Sequence, residues 1–247
     1  MEHHDFFNDN SDNYKIFRPA YPVEMFEYLS KISLDHSKAW DCACGNGQAA
    51  TGLADYFENV YATDVSINQI AHSIVKKNIH YSVSISEKTS FEDSFFDIIC
   101  VAQALHWFDY NVFWDEVKRV LKPGGIFAFW GYSWPSIDTK IDKEISDGVL
   151  TIIKPFWAEQ NKILWSHYKD IEFPFKKLNA PQFELITEWN LNELYSYMMT
   201  WSATKKCIEV NSADFLEKSY SKMLKIWGNA EGKKQIKMDF CFTAGRK

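Results

Sequence analysis

Arginine is scarce in this sequence. Three occur in 247 residues, Arg18, Arg119 and Arg246, and the lysine pairs (Lys76–Lys77, Lys176–Lys177, Lys205–Lys206, Lys233–Lys234) are dispersed. With 27 Lys and Arg against 33 Asp and Glu, the formal net charge is −6. A general nucleic-acid binder neutralises phosphates with clustered cations, so no nucleic-acid partner is expected and each lysine pair reads as a solvated face. Long apolar runs are missing as well. Nothing approaches the roughly 20 apolar residues of a membrane span; the greasiest stretch, 95–108, is broken by Asp97, Gln103 and His106. The first thirteen residues are polar and acidic, without the basic start and apolar stretch of a secretory leader. Neither a membrane partner nor export is expected.

Cysteine is also short of what a disulfide framework needs. The five present (Cys42, Cys44, Cys100, Cys207, Cys241) are odd in number, and three sit in apolar runs, which suits free thiols in a reducing cytoplasm. Cys42 and Cys44 form a C-x-C rather than a spaced zinc pair, and no histidine cluster accompanies them, so no metal is expected. What the chain does have is a 46% hydrophobic content, enough for a sizeable core, and a high 17% of aromatics. The aromatics crowd the stretch from Tyr132 to Trp201. Two readings are open there, a lid or substrate pocket and an aromatic-rich core.

The apolar residues switch between two periods. Strand-like runs at 38–43, 60–64, 79–83, 96–102 and 126–130 alternate with helical spacing at Ala50/Leu53/Ala54/Phe57, Ile67/Ile70/Ala71/Ile74 and Phe113/Val117/Val120/Leu121. The run 96–102 is apolar but for Asp97, as a strand buried on both faces nearly is. Lys122-Pro123-Gly124-Gly125 ends the last of these helices. Strand–helix alternation predicts a parallel sheet with ligand sites at the carboxyl ends of its strands. Val23, Phe26, Leu29 and Ile32 predict a leading helix. Beyond Gly131 the rhythm changes: 183–189 and 236–243 read as strands, 191–201 and 213–227 as helices. The expected architecture is a single α/β domain, 1–247, with a mostly parallel sheet and helices on both faces. Residues 1–35 form a leading helical segment and 36–131 a nucleotide-binding core. Residues 132–182 and 190–230 make a helical cap over the substrate region, and 183–189 and 235–247 are closing strands.

Two features carry the chemistry. Asp41-Cys42-Ala43-Cys44-Gly45-Asn46-Gly47 joins the first strand to the first helix, where glycines allow a tight turn and close approach to a ligand. It is neither G-x-G-x-x-G nor a Walker loop, and alone it is an ordinary βα turn. Asp64 ends the second strand, seventeen residues after Gly47, where an acid can accept both hydrogen bonds of a ribose diol; alone it is a surface acid or a helix cap. Together they point to an adenosine-type ligand without separating a nicotinamide dinucleotide from S-adenosylmethionine.

The segment Asp41–Gly47 resembles the D-x-G-x-G-x-G motif of the seven-strand, Rossmann-like S-adenosylmethionine-dependent methyltransferases (methyltransferase type 11). Ser94–Asp97 and Ala102-Gln103-Ala104-Leu105-His106-Trp107-Phe108 resemble the S-F-D strand start and the A-Q-A-x-H-W-F segment of a subgroup that includes trans-aconitate methyltransferase. Leu121–Gly125 matches the wider family's L-x-P-G-G turn. Tyr14, Arg18-Pro19 and Tyr21-Pro22 resemble the subgroup's Y-x-x-x-R-P-x-Y-P, and Tyr197–Ser202 its Y-x-x-T-W-S. One departure stands out: Ala43 occupies the place of the motif's first glycine, so a positive φ there would weaken binding.

The resemblance implies a seven-stranded sheet, S-adenosyl-L-methionine as cofactor and a small-molecule acceptor, a carboxylic acid in the subgroup. It places Asp41, Ala43, Gly45, Gly47 and Gln48 at the methionine part, Asp64 and Val65 at the ribose, and Ser86 and Glu87 at the adenine. Arg18, helped by Tyr14, meets the methionine carboxylate, and Gln103 meets its ammonium. Trp107, Trp134 and Trp201 line the acceptor site, with Lys205 as carboxylate partner. A carboxylate acceptor needs no base. For a hydroxyl or amine, His106 is the candidate base, against the reading that it only orients Trp107 or substrate. A catalytically silent cofactor binder and a nucleotide-dependent oxidoreductase remain as alternatives.

Overall fold

A computed structural model describes residues 18–247. Its sheet is built on strands that bury both faces. β1 (Lys38–Cys42) and β4 (Phe96–Ala102) are almost wholly buried, as the apolar run of β4 requires of a strand covered by helices on either side. β2 (Asn59–Asp64) and β3 (Ile79–Val83) extend the parallel sheet on one flank, and β5 (Leu121–Ser136) extends it on the other. β8 (Lys234–Arg246) runs antiparallel to β5 and pairs with β7 (Leu185–Trp189) and with a two-residue β6 (Lys176–Lys177). The strand order is 3-2-1-4-5-8-6, with β7 also on β8. The eighth strand, β6, exceeds the seven expected; it continues the edge at Arg246 and Gly245.

Alternation of side chains along the strands sends Ala39, Ile98 and Cys100 to one face, against Met25, Phe26 and Leu29 of α1 (Val23–Ile32) and Leu53 of α2 (Gln48–Leu53). Trp40, Ile99 and Val101 go to the other, against Phe113 and Val117 of α4 (Tyr110–Val120). A third cluster lies at the far end of β7 and β8. There Leu185 and Met238 meet Ile141 of α5 (Thr139–Ile145), Met198 of α8 (Leu191–Met199), Cys207 of α9 (Ser202–Asn211) and Met223 of α10 (Asp214–Trp227). Between α5 and α8, the short α6 (Thr151–Ile153) and α7 (Asn161–Trp165) lie in the segment 132–182 expected as part of a helical cap.

Several predicted elements change length for physical reasons. The fifth strand runs to Ser136 rather than Trp130 because antiparallel pairing with β8 continues past a register slip. α3 spans only Ile67–Ala71, although Ile74 continues the apolar spacing. The Ile74 N–H instead bonds the Asn46 carbonyl, pulling the chain out of the helix, and Ile67 stays exposed. The chain leaves β1 for β2 and β3 and then crosses back to β4. The carboxyl ends of β1 and β4 therefore border a crevice where the connections diverge, the usual place for a ligand in such sheets.

Candidate active site

The loop after β1 is shaped by three left-handed residues: Ala43 at φ +55°, Gly45 at +54° and Gly47 at +85°. For glycine this is nearly free; for alanine it costs about 1–2 kcal/mol. The departure from the glycine motif thus falls where it is strained. Gly47 has a second constraint, since a Cβ there would lie 2.0 Å from the Tyr81 hydroxyl oxygen. Gly45 faces open space: an added Cβ would meet only Gln69 Oε1, at 3.8 Å. Two carboxylates hold the loop. Asp41 Oδ2 accepts from the Ala50 N–H of α2 (2.7 Å), and Asp64 accepts from the N–H groups of Gly45 and Ser66 (2.8 Å each). Burial pushes the Asp41 carboxyl up to about 8, with the nearby Asp64 charge adding to the effect, and burial also raises Asp64.

Above this loop lies a cavity of about 460 Å³, within the ~300–1,000 Å³ common for small-ligand clefts. Of the residues expected at a cofactor, Arg18, Ala43, Gly45, Gln48, Asp64, Val65, Ser86, Glu87 and Gln103 line it. Asp41 and Gly47 lie behind the loop, the first under α2 and the second against Tyr81. Tyr14 lies outside the described residues. The sequence reading missed Tyr21, Asn46, Gln69 and Asp109; Tyr21 and Asn46 stood inside quoted motifs, Gln69 and Asp109 carried no signal. These groups suit an adenosyl ligand: an open glycine face, an acid on the β2 end with unused lone pairs, and an arginine fork of the kind that grips carboxylates.

A second chamber of about 130 Å³ adjoins the first and shares Arg18, Gln69, Gln103, Trp107 and Tyr132 with it. It holds the four remaining expected residues, His106, Trp134, Trp201 and Lys205. Trp134 contacts Trp157, Trp165 and Trp201, with ring centroids 5.2–5.9 Å apart. Trp157 and Trp165 were not singled out from sequence, although they fall in the aromatic-rich stretch. That stretch serves both readings left open, because Trp201 lines the chamber and packs in the third core cluster.

Two expected site residues are held within the fold. The Gln103 side chain is engaged with β5. Its amide donates to the Tyr132 carbonyl (2.9 Å) and accepts from the Tyr132 N–H (3.0 Å), clasping β5. Its backbone is left-handed at φ +57°. His106 is buried, and desolvation lowers its pKa to about 3, so it is a poor proton acceptor near neutrality. Its Nδ1 pairs with the Tyr168 hydroxyl (3.0 Å), and its ring lies 5.1 Å from that of Trp107.

Comparison with known proteins agrees with this geometry. Residues 40–129 match the model of a methyltransferase domain. A Dictyostelium discoideum protein named as a methyltransferase is 30% identical over 236 residues, covering 94% of this chain and 90% of that protein. A Saccharomyces cerevisiae protein named as an S-adenosylmethionine-dependent methyltransferase is 22% identical, covering 79% of each. A solved structure from Anaeromyxobacter dehalogenans, described as a type II methyltransferase, superposes with a TM-score of 0.86 at 32% identity, covering 93% of this chain and 98% of that one. The chain belongs to the S-adenosylmethionine-dependent methyltransferases, with the Rossmann-like fold of that family and S-adenosylmethionine as its cofactor.

Proposed function

We propose that this enzyme methylates the carboxylate of a small organic acid, giving a methyl ester. One observation carries the reading: the second chamber is lined by Arg18 and Lys205 and, among the described residues, by no Asp or Glu. A cationic wall beside indoles packed edge to face and tilted suits an anion with an apolar body. The subgroup resemblance points the same way. In this reading Asp64 holds the ribose, Ser86 and Glu87 the adenine, and Arg18 the methionine carboxylate at the seam between the chambers. Residues 36–131 hold the cofactor, and the helices of 132–182 and 190–230 form the acceptor wall.

The bound cofactor supplies a methyl group on a sulfonium, already activated by its charge. The protein has then to align the acceptor oxygen with that methyl and to exclude water. Lys205 draws in and orients the acceptor carboxylate, while Trp107, shared by both chambers, packs at the junction. A carboxylate is ionised well below neutrality, so no base is needed. A neutral, buried His106 fits a group that orients Trp107. The test is S-adenosylhomocysteine release over a panel of small carboxylic acids, with methyl esters identified by mass. Turnover of hydroxyl or amine acceptors alone would refute the reading.

A further inference from the structure

We propose that Ser133, held by Asp239 and His167, selects acids that also carry a hydroxyl group; this rests on the acidic-acceptor reading above. Tyr132, Ser133 and Trp134 of β5 all line the second chamber. A regular strand turns successive side chains to opposite faces and does not present three in a row. Here the register against β8 slips: Tyr132 pairs with Phe240 and Pro135 with Met238, leaving Ser133 and Trp134 opposite Asp239 alone. Such a bulge re-aims side chains, and bulges recur beside binding sites.

The Ser133 hydroxyl donates to Asp239 Oδ2 at 2.7 Å, and His167 Nε2 lies 2.9 Å from both oxygens of the same carboxylate. His167 and Tyr168 are consecutive left-handed residues, at φ +55° and +56°. Two adjacent non-glycine residues in that region are costly, and strain of this kind gathers at functional sites. The turn sends Tyr168 to His106, which lines the chamber, and His167 to Asp239, which holds the lining Ser133.

A serine whose proton is committed to a carboxylate offers a ligand only its lone pairs. Arg18, Lys205 and the indole N–H groups are donors only. Thr200 is committed in the same way as Ser133, but to the Tyr197 carbonyl and with no charge behind it. Gln69 and Asn161 also bring amide oxygens to the chamber, but among the described residues that line it Ser133 is the acceptor with a carboxylate behind it. A hydroxy acid matches both kinds of group. The same acid without its hydroxyl leaves the serine lone pairs unmatched.

The test uses the full chain saturated with S-adenosylhomocysteine and reads quenching of its indole fluorescence. Three matched pairs are titrated: succinate and malate, phenylacetate and mandelate, 3-phenylpropionate and 3-phenyllactate. In at least one pair the hydroxy acid should bind about ten-fold tighter. Ser133→Ala should bring that ratio near one without weakening binding of the deoxy acid, which separates lost recognition from a damaged fold. Ser133→Thr should keep the preference, and Asp239→Asn should reduce it. Ratios near one for every pair in the wild type, or a ratio that survives Ser133→Ala, would overturn the proposal. Quenching by neither member of any pair would instead refute the acidic-acceptor reading, and this proposal with it.

Discussion

Replacing Ala43 by glycine should stabilise the protein, although it removes a methyl group. Ala43 sits at φ +55°, where an L-residue with a Cβ costs about 1–2 kcal/mol. Glycine removes that cost but gives the unfolded chain more freedom, worth roughly 0.4–1 kcal/mol in the opposite direction. The difference leaves about 0.5–1 kcal/mol in favour of glycine. For a chain of this size 1 kcal/mol moves the melting temperature by about 2–4 °C, so a rise of about 1–4 °C is expected. Ala43 also lines the cofactor cavity, so the loop gains stability where the ligand must approach. Thermal melts of wild type and Ala43→Gly, each with and without S-adenosylhomocysteine, measure both effects. A melting temperature lowered by the glycine variant would refute the reasoning, because it would mean that the methyl group contributes packing worth more than the strain.

Asp41→Asn should flatten the pH dependence of stability. The folded pKa of Asp41 is raised to about 8 against about 3.9 when unfolded, so between those values the native state binds the extra proton. Stability is fully present below pH 4 and is lost as pH rises toward 8, by at most about 1.4 kcal/mol per unit. Melts at pH 5.5 and 7.5 should converge in the variant, and an unchanged slope would assign the dependence to other groups. Gly47→Ala should cost more than about 2 kcal/mol, because it adds left-handed strain to a clash with the Tyr81 hydroxyl. Tyr81→Phe should restore part of the loss, and its failure to do so would show that the backbone alone is limiting. With His106 neutral throughout, kcat should show no histidine limb between pH 5 and 8. A limb near 6.5 that disappears in His106→Gln would reinstate it as a base.

The cofactor half of the fold was legible because its signals are local. β4 was placed at its observed ends, since a strand buried on both faces is largely apolar; its one charge, Asp97, is paired with Lys122. Asp64 and the loop before it were legible because a βα turn between buried strands imposes its own residue types. The second chamber was less so. Its wall is assembled from β5, α7 and the segments around α8 and α9, far apart in sequence, and no spacing rule connects Trp134 with Trp157 and Trp165. The roles of Gln103 and His106 depended on facts that sequence does not carry. One is the pairing of a side-chain amide with a strand 29 residues away, and the other is the loss of water around an imidazole.

The distribution of backbone strain joins these observations. Among the described residues six non-glycine positions have positive φ: Ala43, Ser94, Gln103, His167, Tyr168 and Ser212. Ser94 and Ser212 lie outside the two chambers, Ser94 in the approach to β4 and Ser212 after α9. The other four border the site or brace its walls. Ala43 turns the loop under the cofactor cavity, Gln103 clasps the end of β4 to β5 where the two chambers meet, and His167 and Tyr168 fix Asp239 and His106. Each strained residue is held by hydrogen bonds to a neighbouring element or by the loop around it. Relieving the strain would therefore move a wall of the site. Ala43 differs from the other three because its own side chain makes no hydrogen bond that the left-handed turn secures. That makes it the position where glycine is gained without loss, whereas at Gln103 the same replacement would free the backbone and release β5 together.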